Sequence, residues 1–283
     1  MRQVKIITDS TADLSQELID KFNIVTLPLN VVFEDQSFED GVDITTKELY
    51  ERVASTNELP KTAAISPARF QDEFSKWINQ GYDVLYIGIG SKISGTIQNA
   101  HIAKMDLEDE RVYIVDSLNL SSGIALLVLK AKDLKEKGLS AKEIHEEIIK
   151  LVPRVRTQFA IKVLDYLHKG GRASGTAALV GKFLRIRPII KVTDGVLDVY
   201  KKPMGTMNKA VTIMLDEYLE QKDNVDLEYV MITHSLAEPQ VKVMEDYVNE
   251  NLKPDNLIIS NAGCVISSHC GAGSIGILYI VKE

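Results

Sequence analysis

Cysteine is scarce in this chain of 283 residues, which contains only Cys264 and Cys270. Two thiols cannot build a disulfide framework, and they are typical of a protein kept in a reducing cytoplasm. The sequence from Met1 runs directly into a strand-like pattern, so we expect no signal peptide and a cytoplasmic location. A zinc site made of Cys264, His269 and Cys270 would lack a fourth ligand, and its spacing matches no structural zinc pattern. We therefore expect neither a disulfide nor a bound metal.

Long apolar runs and an excess of basic residues are also missing. The longest purely apolar run, Ile124–Leu129, is far too short to cross a bilayer. The 40 acidic residues outnumber the 33 basic ones, for a formal net charge of −7. A nucleic-acid binder needs a concentrated basic surface. Membrane-spanning and nucleic-acid-binding proteins are thus disfavoured, although a local basic patch is not excluded.

Two common motifs of catalysis and cofactor binding are missing in usable form. The chain has no G-x-S-x-G element, the exposed turn that presents a serine nucleophile in many hydrolases. Residues 271–276 fit the dinucleotide pattern G-x-G-x-x-G, but the strand-like run Ile277–Val281 follows where a helix is required. The sequence also stops before a ribose-binding acid would appear. We expect no nucleotide cofactor.

Strand-length apolar runs alternate with amphipathic helical runs through the first half of the chain. The predicted strands are Val4–Ile7, Asn23–Phe33, Val84–Ile89 and Arg111–Val115. The predicted helices begin at Ser66 and Pro67, at Ser121 and, with a capping box, at Ser140. This alternation predicts an α/β fold with a mostly parallel sheet flanked by helices.

The pattern changes near residue 155, so we divide the chain into an N-terminal α/β domain, 1–155, and a C-terminal one, 156–283. Phe159–Leu167 is predicted as a strand and His168–Ser174 as a loop. Asp194 and Gly195 predict a hairpin turn, because an Asp-Gly pair readily adopts positive φ angles. The remaining predicted elements are strands Ile186–Val192, Val196–Tyr200, Tyr229–Thr233, Leu257–Ser260 and Ile275–Val281, and helices Met207–Gln221 and Val241–Leu252. A hairpin among βα units indicates a mixed sheet.

Hydroxyl side chains follow several of the predicted strands of the first half. They occur in Thr8–Thr11, in Ser91–Thr96 and after Asp116. Ligands of parallel sheets bind beyond the carboxyl ends of the strands, where helix N-termini also offer free N–H groups. The Ser94–Gly95–Thr96 segment contains no Lys or Arg, which favours a carboxylate over a triphosphate as its anion. Taken alone, these residues are more simply explained as an ordinary helix cap.

Two further residues have both a plain and a functional interpretation. Thr62 precedes the Ser66 helix and is most simply a solvated turn residue. His269 lies among small residues, where its ring can approach a ligand closely and donate to a carboxylate. A structural histidine bonded to backbone would fit the same pattern.

A basic stretch crosses the second half of this acidic chain. It comprises the loop from His168 to Arg172 together with Lys182, Arg185, Arg187, Lys201, Lys202 and Lys209. Such a stretch is either a solvated charged face or a docking surface for an acidic or phosphate-bearing partner.

Five segments, in order across nearly the whole chain, resemble the DegV family. They are Ile6–Asp13, Ile93–Ala100, Val115–Ser117, Leu164–Arg172 and His269–Gly273. The resemblance implies a two-domain α/β protein that holds one long-chain fatty acid in a buried tunnel. It further implies that a separate ATP-dependent kinase phosphorylates the carboxyl group of the bound acid, for use in phospholipid synthesis. The chain itself would then be a non-catalytic binding subunit that needs no cofactor.

The resemblance also assigns residues. Thr62 and Ser94 would hydrogen-bond the carboxylate with Gly95 and Thr96 of the same loop, and His269 would lie close to it. Kinase docking would use the basic side chains Arg172, Lys201, Lys202 and Lys209. Transient contact with a membrane surface is compatible with this role. The alternative from another class is a serine hydrolase of acyl substrates that uses Ser94 and His269.

Overall fold

The structure is a computed structural model that describes residues 2–34, 36–174 and 185–283. Lys182 of the predicted basic stretch lies outside the described residues. The strands are β1 (Val4–Asp9), β2 (Val25–Leu27), β3 (Asn30–Val32), β4 (Ser37–Glu39), β5 (Lys61–Ala63), β6 (Asp83–Gly88), β7 (Val112–Asp116), β8 (Val155–Ala160), β9 (Ala173–Ser174), β10 (Ile189–Thr193), β11 (Val196–Lys201), β12 (Val225–Ser235), β13 (Asn256–Asn261) and β14 (Ser274–Val281). The helices are α1 (Gln16–Phe22), α2 (Thr46–Thr56), α3 (Pro67–Asn79), α4 (Thr96–Leu107), α5 (Ser122–Glu136), α6 (Ala141–Leu151), α7 (Leu164–Gly170), α8 (Met207–Glu220), α9 (Glu238–Asn251) and α10 (Cys264–Cys270).

The first half of the chain forms the predicted parallel sheet, in the strand order β2-β1-β6-β7. A small antiparallel sheet, in the order β4-β3-β5, stands beside it. The predicted strand Asn23–Phe33 is therefore wrong as one element, because β2 belongs to the first sheet and β3 to the second. Pro28 lies between them, and its missing N–H interrupts strand pairing at the crossing point.

The second half forms a mixed sheet in the order β13-β12-β14-β8-β10-β11-β9. β12 pairs with β13 in parallel and with β14 in antiparallel orientation. The predicted hairpin is confirmed: β10 and β11 pair up to Thr193 and Val196, and Asp194 and Gly195 have φ angles of 49° and 79°. The fold is thus α/β, with a parallel sheet flanked by helices and a mixed sheet.

One predicted strand of the second half, Phe159–Leu167, is too long. β8 ends at Ala160, and helix α7 begins at Leu164. The predicted loop His168–Ser174 is instead the end of α7 followed by the short strand β9. A short apolar run does not distinguish a strand from a buried helical turn, since both place most of its residues in the core.

Helix α5 lies between the two large sheets. Its residues from Ser122 to Leu129 are all buried, and its apolar side chains pack in one core with Val4 and Ile6 of the first sheet and Leu278 and Ile280 of the second. The apolar run Ile124–Leu129 is thereby explained as a helix covered on both sides. Within the described part of the chain, no helix is long and apolar enough to cross a membrane.

The helix starts predicted from capping residues are confirmed. The Ser66 side chain accepts the N–H of Arg69 at the start of α3, with Pro67 in the first turn. Ser140 and Glu143 form the capping box of α6. These caps fix where α3 and α6 begin, and α3 follows directly on the segment that holds Thr62.

Candidate functional site: a cavity between the sheets

A cavity of about 350 Å³ lies between the two halves of the chain. It is lined by the loop after β6, by β5, by the start of α5, by the ends of β12 and β14 and by α10. Of the hydroxyl-bearing segments that follow predicted strands, Ser91–Gly95 and Ser121 line the cavity, as expected for the carboxyl edge of a parallel sheet, whereas Thr8–Thr11 does not. Its volume is in the range of pockets for small organic ligands.

We call the partly or fully exposed polar residues at its opening the rim: Thr62, Ser91, Lys92, Ser94, Gly95, Arg172 and His269. We call the buried hydroxyl residues farther in the inner wall: Ser121, Thr157, Thr233, Ser235 and Ser274. Between them, buried aliphatic side chains cover most of the surface: Leu29, Ile89, Leu120, Leu167, Leu197, Val265, Ile275 and Leu278.

The first rim group is the loop before α4. The Ser94 hydroxyl oxygen accepts the N–H of Thr96 at 3.3 Å and lies 2.9 Å from the Thr96 hydroxyl. Thr96 is fully buried and does not line the cavity. Because Thr96 has no other acceptor among the described residues, we assign its hydroxyl as the donor to Ser94. Ser94 then keeps its own proton for a ligand, while Gly95 at the N-cap position contributes only backbone to the lining.

The second rim group joins the two halves of the chain. Thr62 lies in β5, where it pairs with Val31, so its interpretation as a solvated turn residue is wrong. Its hydroxyl oxygen lies 3.0 Å from Nε2 of His269 on α10. The histidine is therefore bonded to a side chain of the cavity, in place of the backbone contact considered from the sequence.

The other ring nitrogen decides which way that hydrogen bond runs. Nδ1 of His269 is buried with no hydrogen-bond partner in the described chain. A Cβ atom on Gly170 would collide with it, so Nδ1 packs directly against that glycine. A buried N–H without an acceptor is costlier than a bare acceptor, and we therefore assign the ring proton to Nε2. Nε2 donates to Thr62, whose own hydroxyl proton remains available to a ligand.

Burial and the nearby charge of Arg172 lower the pKa of His269 to about 4. The ring is consequently uncharged near neutral pH. Arg172 itself is exposed on the rim, and one of its guanidinium nitrogens donates to the carbonyl of Gly170 at 2.7 Å. Positive charge thus lies near the opening and not on the residues that present hydroxyl protons.

The inner wall differs from the rim because three of its hydroxyls donate their protons to acceptors of the protein. Ser121 donates to Asp13 at 2.5 Å, Thr157 to the Asn119 side chain at 2.8 Å and Ser274 to the carbonyl of Cys270 at 2.7 Å. The two remaining residues are paired with other hydroxyls: Thr233 with Ser122, and Ser235 with Tyr50 and Ser267. Ser121, Thr157 and Ser274 therefore offer a ligand no free donor, and this part of the inner wall is compatible with an apolar chain.

The sequence-predicted residues fall into two groups. Thr62, Ser94, Gly95, His269 and Arg172 line the same cavity. Lys201, Lys202 and Lys209 do not line it; they lie exposed on β11, on the segment after it and on α8. Lys201 forms an ion pair with Glu217 at 2.5 Å, which lowers its availability to a partner.

Thr157 and Ser274 were missed as cavity residues by the sequence reasoning. Thr157 shares a face of β8 with Phe159, which also lines the cavity, so strand alternation is the signal that identifies it. Ser274 begins β14, and a strand beginning gives no such signal.

The geometry of a nucleophile and a base is not assembled from Ser94 and His269. Among residues 2–34, 36–174 and 185–283, Ser94 is bonded to Thr96 and His269 to Thr62, and no carboxylate orients Nδ1. In a serine hydrolase the serine hydroxyl is hydrogen-bonded to the base, and the base is hydrogen-bonded to a group that orients it. In the same described residues, no cluster of His, Cys, Asp and Glu side chains has the arrangement of a metal site.

A parallel sheet and a mixed sheet that enclose an apolar cavity with hydroxyl groups at its opening define a class of α/β proteins with an internal ligand site. The chain belongs to the DegV family, described as a family of uncharacterised proteins, whose model matches residues 3–282. A DegV domain-containing protein of Clostridium acetobutylicum is 38% identical over 282 residues, covering 100% of both chains.

Solved structures of the same architecture cover essentially the whole chain. A DegV family protein from Thermus thermophilus, described as binding fatty acid, has a TM-score of 0.92 at 27% identity and covers 99% of this chain and 100% of its own. A DegV lipid-binding protein from Thermotoga maritima has a TM-score of 0.88 at 30% identity, with 99% of each chain covered. A stearic acid-binding protein from Eubacterium ventriosum has a TM-score of 0.85 at 28% identity, again with 99% of each covered.

Proposed function

We propose that this protein binds one long-chain fatty acid, with its carboxylate at the rim and its tail in the cavity. The observation that carries the proposal is the contrast in hydroxyl protons. Ser94 and Thr62 keep theirs for a ligand, whereas Ser121, Thr157 and Ser274 of the inner wall donate theirs to the protein. The similar proteins from Thermus thermophilus and Eubacterium ventriosum, which are described as fatty-acid and stearic-acid binders, support the same ligand class.

The energetics divide naturally between the two ends of such a ligand. Burying one methylene contributes about 0.8 kcal/mol, so a tail of roughly fifteen gives about 12 kcal/mol before the costs of binding. The two hydroxyl hydrogen bonds to the carboxylate add less, roughly 3–6 kcal/mol together, and they fix its direction. In this assignment the tail provides most of the affinity, and Thr62 and Ser94 set which way the acid points.

We further propose that the carboxylate is presented to a separate ATP-dependent kinase, which forms an acyl-phosphate. The carboxylate would lie beside exposed residues such as Ser91, Lys92 and Gly95, where another protein can reach it. Arg172 at the opening and Lys202 and Lys209 on the second half would contribute a basic surface for docking, with Lys201 weakened by its pairing to Glu217. A cytoplasmic location and transient contact with a membrane surface belong to this proposal.

In this role the chain performs no chemistry itself. The first half, 1–155, would supply the carboxylate-binding loops, and the second half, 156–283, would complete the cavity and add His269. A serine hydrolase built on Ser94 and His269 is disfavoured by their separate hydrogen-bond partners. A reactive-serine probe that labels Ser94 in the purified protein would reverse that judgement.

Mass spectrometry of lipid extracted from the purified protein tests the ligand directly. We expect fatty acid in a near one-to-one ratio with protein, and a strong loss of retained acid when Thr62→Val and Ser94→Ala are combined. Thr26→Val is the matched control, because it removes a buried hydroxyl that has no hydrogen-bond partner in the described chain and does not line the cavity. A protein that is purified empty and stays empty when acid is added would contradict the proposal.

A further inference from the structure

Helix α10, which carries His269, is capped by side chains from the other half of the chain. Its N-cap residue is Gly263, which has no side chain to accept the free N–H groups of the first turn. Oδ1 of Asp13 accepts the N–H of Gly263 at 2.8 Å. Oδ1 of Asp40 accepts the N–H of Cys264 at 2.7 Å. The acceptors for the start of α10 are thus carboxyl oxygens from the other half of the chain, and burial raises the pKa of both carboxyl groups.

The two carboxyl groups converge on one backbone position. A Cβ atom on Gly263 would lie 3.1 Å from Oδ1 of Asp40 and 3.2 Å from Oδ1 of Asp13. The φ angle of Gly263 is −64°, which any L-residue adopts. Space for the two carboxyl groups, and not backbone conformation, is therefore what requires glycine here.

Both aspartates are themselves fixed in the first half of the chain. They are 5% and 4% exposed. Asp13 also accepts the hydroxyl of Ser121 at 2.5 Å through Oδ2, and its carbonyl accepts the hydroxyl of Ser260. The N–H of Asp40 donates to the carbonyl of Leu29 at 2.9 Å. Since Ser121 and Leu29 line the cavity, the caps of α10 are built on the same framework as the cavity wall.

The position of the first turn of α10 determines where His269 lies at the rim. His269 is six positions after Gly263, which corresponds to roughly 9 Å along a helix axis. A helix of this length is stiff, so a displacement of its first turn moves the imidazole by a similar amount. The hydrogen bond from Nε2 to Thr62, at 3.0 Å, tolerates only a few tenths of an ångström.

We propose that Asp13 and Asp40 are positioning residues for the ligand site. By capping α10 from the other half of the chain, they keep His269 within hydrogen-bond distance of Thr62, so that the Thr62 hydroxyl proton points into the cavity. The ligand in this statement rests on the proposed function. The contact of His269 with Thr62 does not, because it is a feature of the fold itself.

The test compares Asp40→Ala with Asp40→Asn, whose amide oxygen still accepts the N–H of Cys264. In the ligand-free protein, NMR would follow the ring nitrogens and the titration of His269. Asp40→Ala is expected to raise the pKa of His269 from about 4 toward the ordinary value of 6.5, whereas Asp40→Asn leaves it in place. Palmitic acid binding is expected to weaken about tenfold in the alanine variant, because the hydrogen bond from Thr62 to the carboxylate of the ligand would be lost. In the asparagine variant, binding should stay within about twofold.

Ser140→Ala is the control for destabilisation alone, because it removes the cap of α6 and lies outside the cavity lining. It should leave both the His269 titration and palmitic acid binding unchanged. If Asp40→Ala does not fold, Gly263→Ala displaces the same carboxyl groups without removing them and takes its place. A folded variant whose His269 titrates as in the unchanged protein overturns the proposal. Failure of the unchanged protein to bind palmitic acid would overturn the proposed function alone.

Discussion

The rim and the inner wall of the cavity are built from the same side chains, serine and threonine, yet they present opposite surfaces to a ligand. At the rim, Ser94 and Thr62 accept hydrogen bonds from Thr96 and His269 and keep their own protons. On the inner wall, Ser121, Thr157 and Ser274 donate their protons to acceptors of the protein. Composition alone would describe both as polar. What separates them is the direction of each hydrogen bond, and that direction assigns one region to a carboxylate and the other to a hydrocarbon chain.

The largest expected effect comes from removing the rim protons. Thr62→Val combined with Ser94→Ala should weaken palmitic acid binding by at least about a hundredfold, since each hydrogen bond to a charged group contributes roughly 1.5–3 kcal/mol. Titration calorimetry on delipidated protein measures it. The free energy of unfolding should fall by about 1–3 kcal/mol for each lost acceptor, because the Thr96 hydroxyl and Nε2 of His269 would have no partner left. Unchanged affinity would remove the distinction between rim and inner wall.

The next prediction concerns the inner wall, where we expect stability to fall while the affinity for palmitic acid is kept. Thr157→Val removes a donor to the Asn119 side chain and should lower the free energy of unfolding by about 1–2 kcal/mol. Palmitic acid binding should stay within about twofold, because the hydroxyl offers a ligand nothing. Urea denaturation and the same calorimetry separate the two quantities. A large loss of affinity with intact stability would show that Thr157 binds the ligand directly.

The third prediction concerns pH. His269 is expected to titrate at about 4, below its ordinary value of 6.5, because burial and Arg172 disfavour the charged ring. A lowered pKa means that the unfolded chain takes up this proton first, so the stability contributed by neutral His269 declines as pH falls from 6.5 to about 4. Ring NMR measures the titration. A pKa near 6.5 would indicate a solvated ring and a different hydrogen bond at Thr62.

The same pKa has a consequence for binding. Since His269 stays neutral near pH 7, fatty-acid affinity should show no step that depends on this residue between about pH 6 and pH 8. The His269→Gln variant provides the comparison curve, because its amide can donate to Thr62 and does not titrate. A step present only in the unchanged protein would contradict the lowered pKa of His269.

The smallest effect is expected at the exposed lysines. Lys202→Glu should leave both stability and fatty-acid affinity unchanged while weakening pull-down of the kinase. Lys201→Glu should also cost a little stability, within the 0–1 kcal/mol typical of exposed ion pairs, because it places a second carboxylate beside Glu217. Pull-down at two salt concentrations distinguishes a charge effect from a packing effect. Equal binding of all variants would argue that this surface is only solvated.

Much of the fold could be predicted because its signals are local. Ser66 with Pro67, Ser140 with Glu143, and Asp194 with Gly195 each fix an element through interactions within a few residues. The errors lie where long-range pairing decides. Nothing local separates β2 from β3 except Pro28, and the strand pattern after Ala160 is overridden by packing of α7.

The candidate site could be predicted only in part for the same reason. Ser94 is visible from the sequence because it stands between a strand and a helix start. Thr62 appears as a turn residue, because its strand partner and His269 are distant along the chain. The directions of the hydroxyl hydrogen bonds depend on residues such as Asn119 and Tyr50, which become neighbours only in the fold.

The buried helix α5 has a consequence for how the molecule unfolds. It belongs to the first half of the chain, but its side chains complete the core of both large sheets. A break in the backbone near residue 155 would therefore leave apolar surface uncovered on each fragment. The two halves should share a single cooperative transition, seen as coincident melting curves by circular dichroism and by fluorescence of the lone tryptophan, Trp77. A ligand held between the sheets would then raise the stability of the whole chain at once.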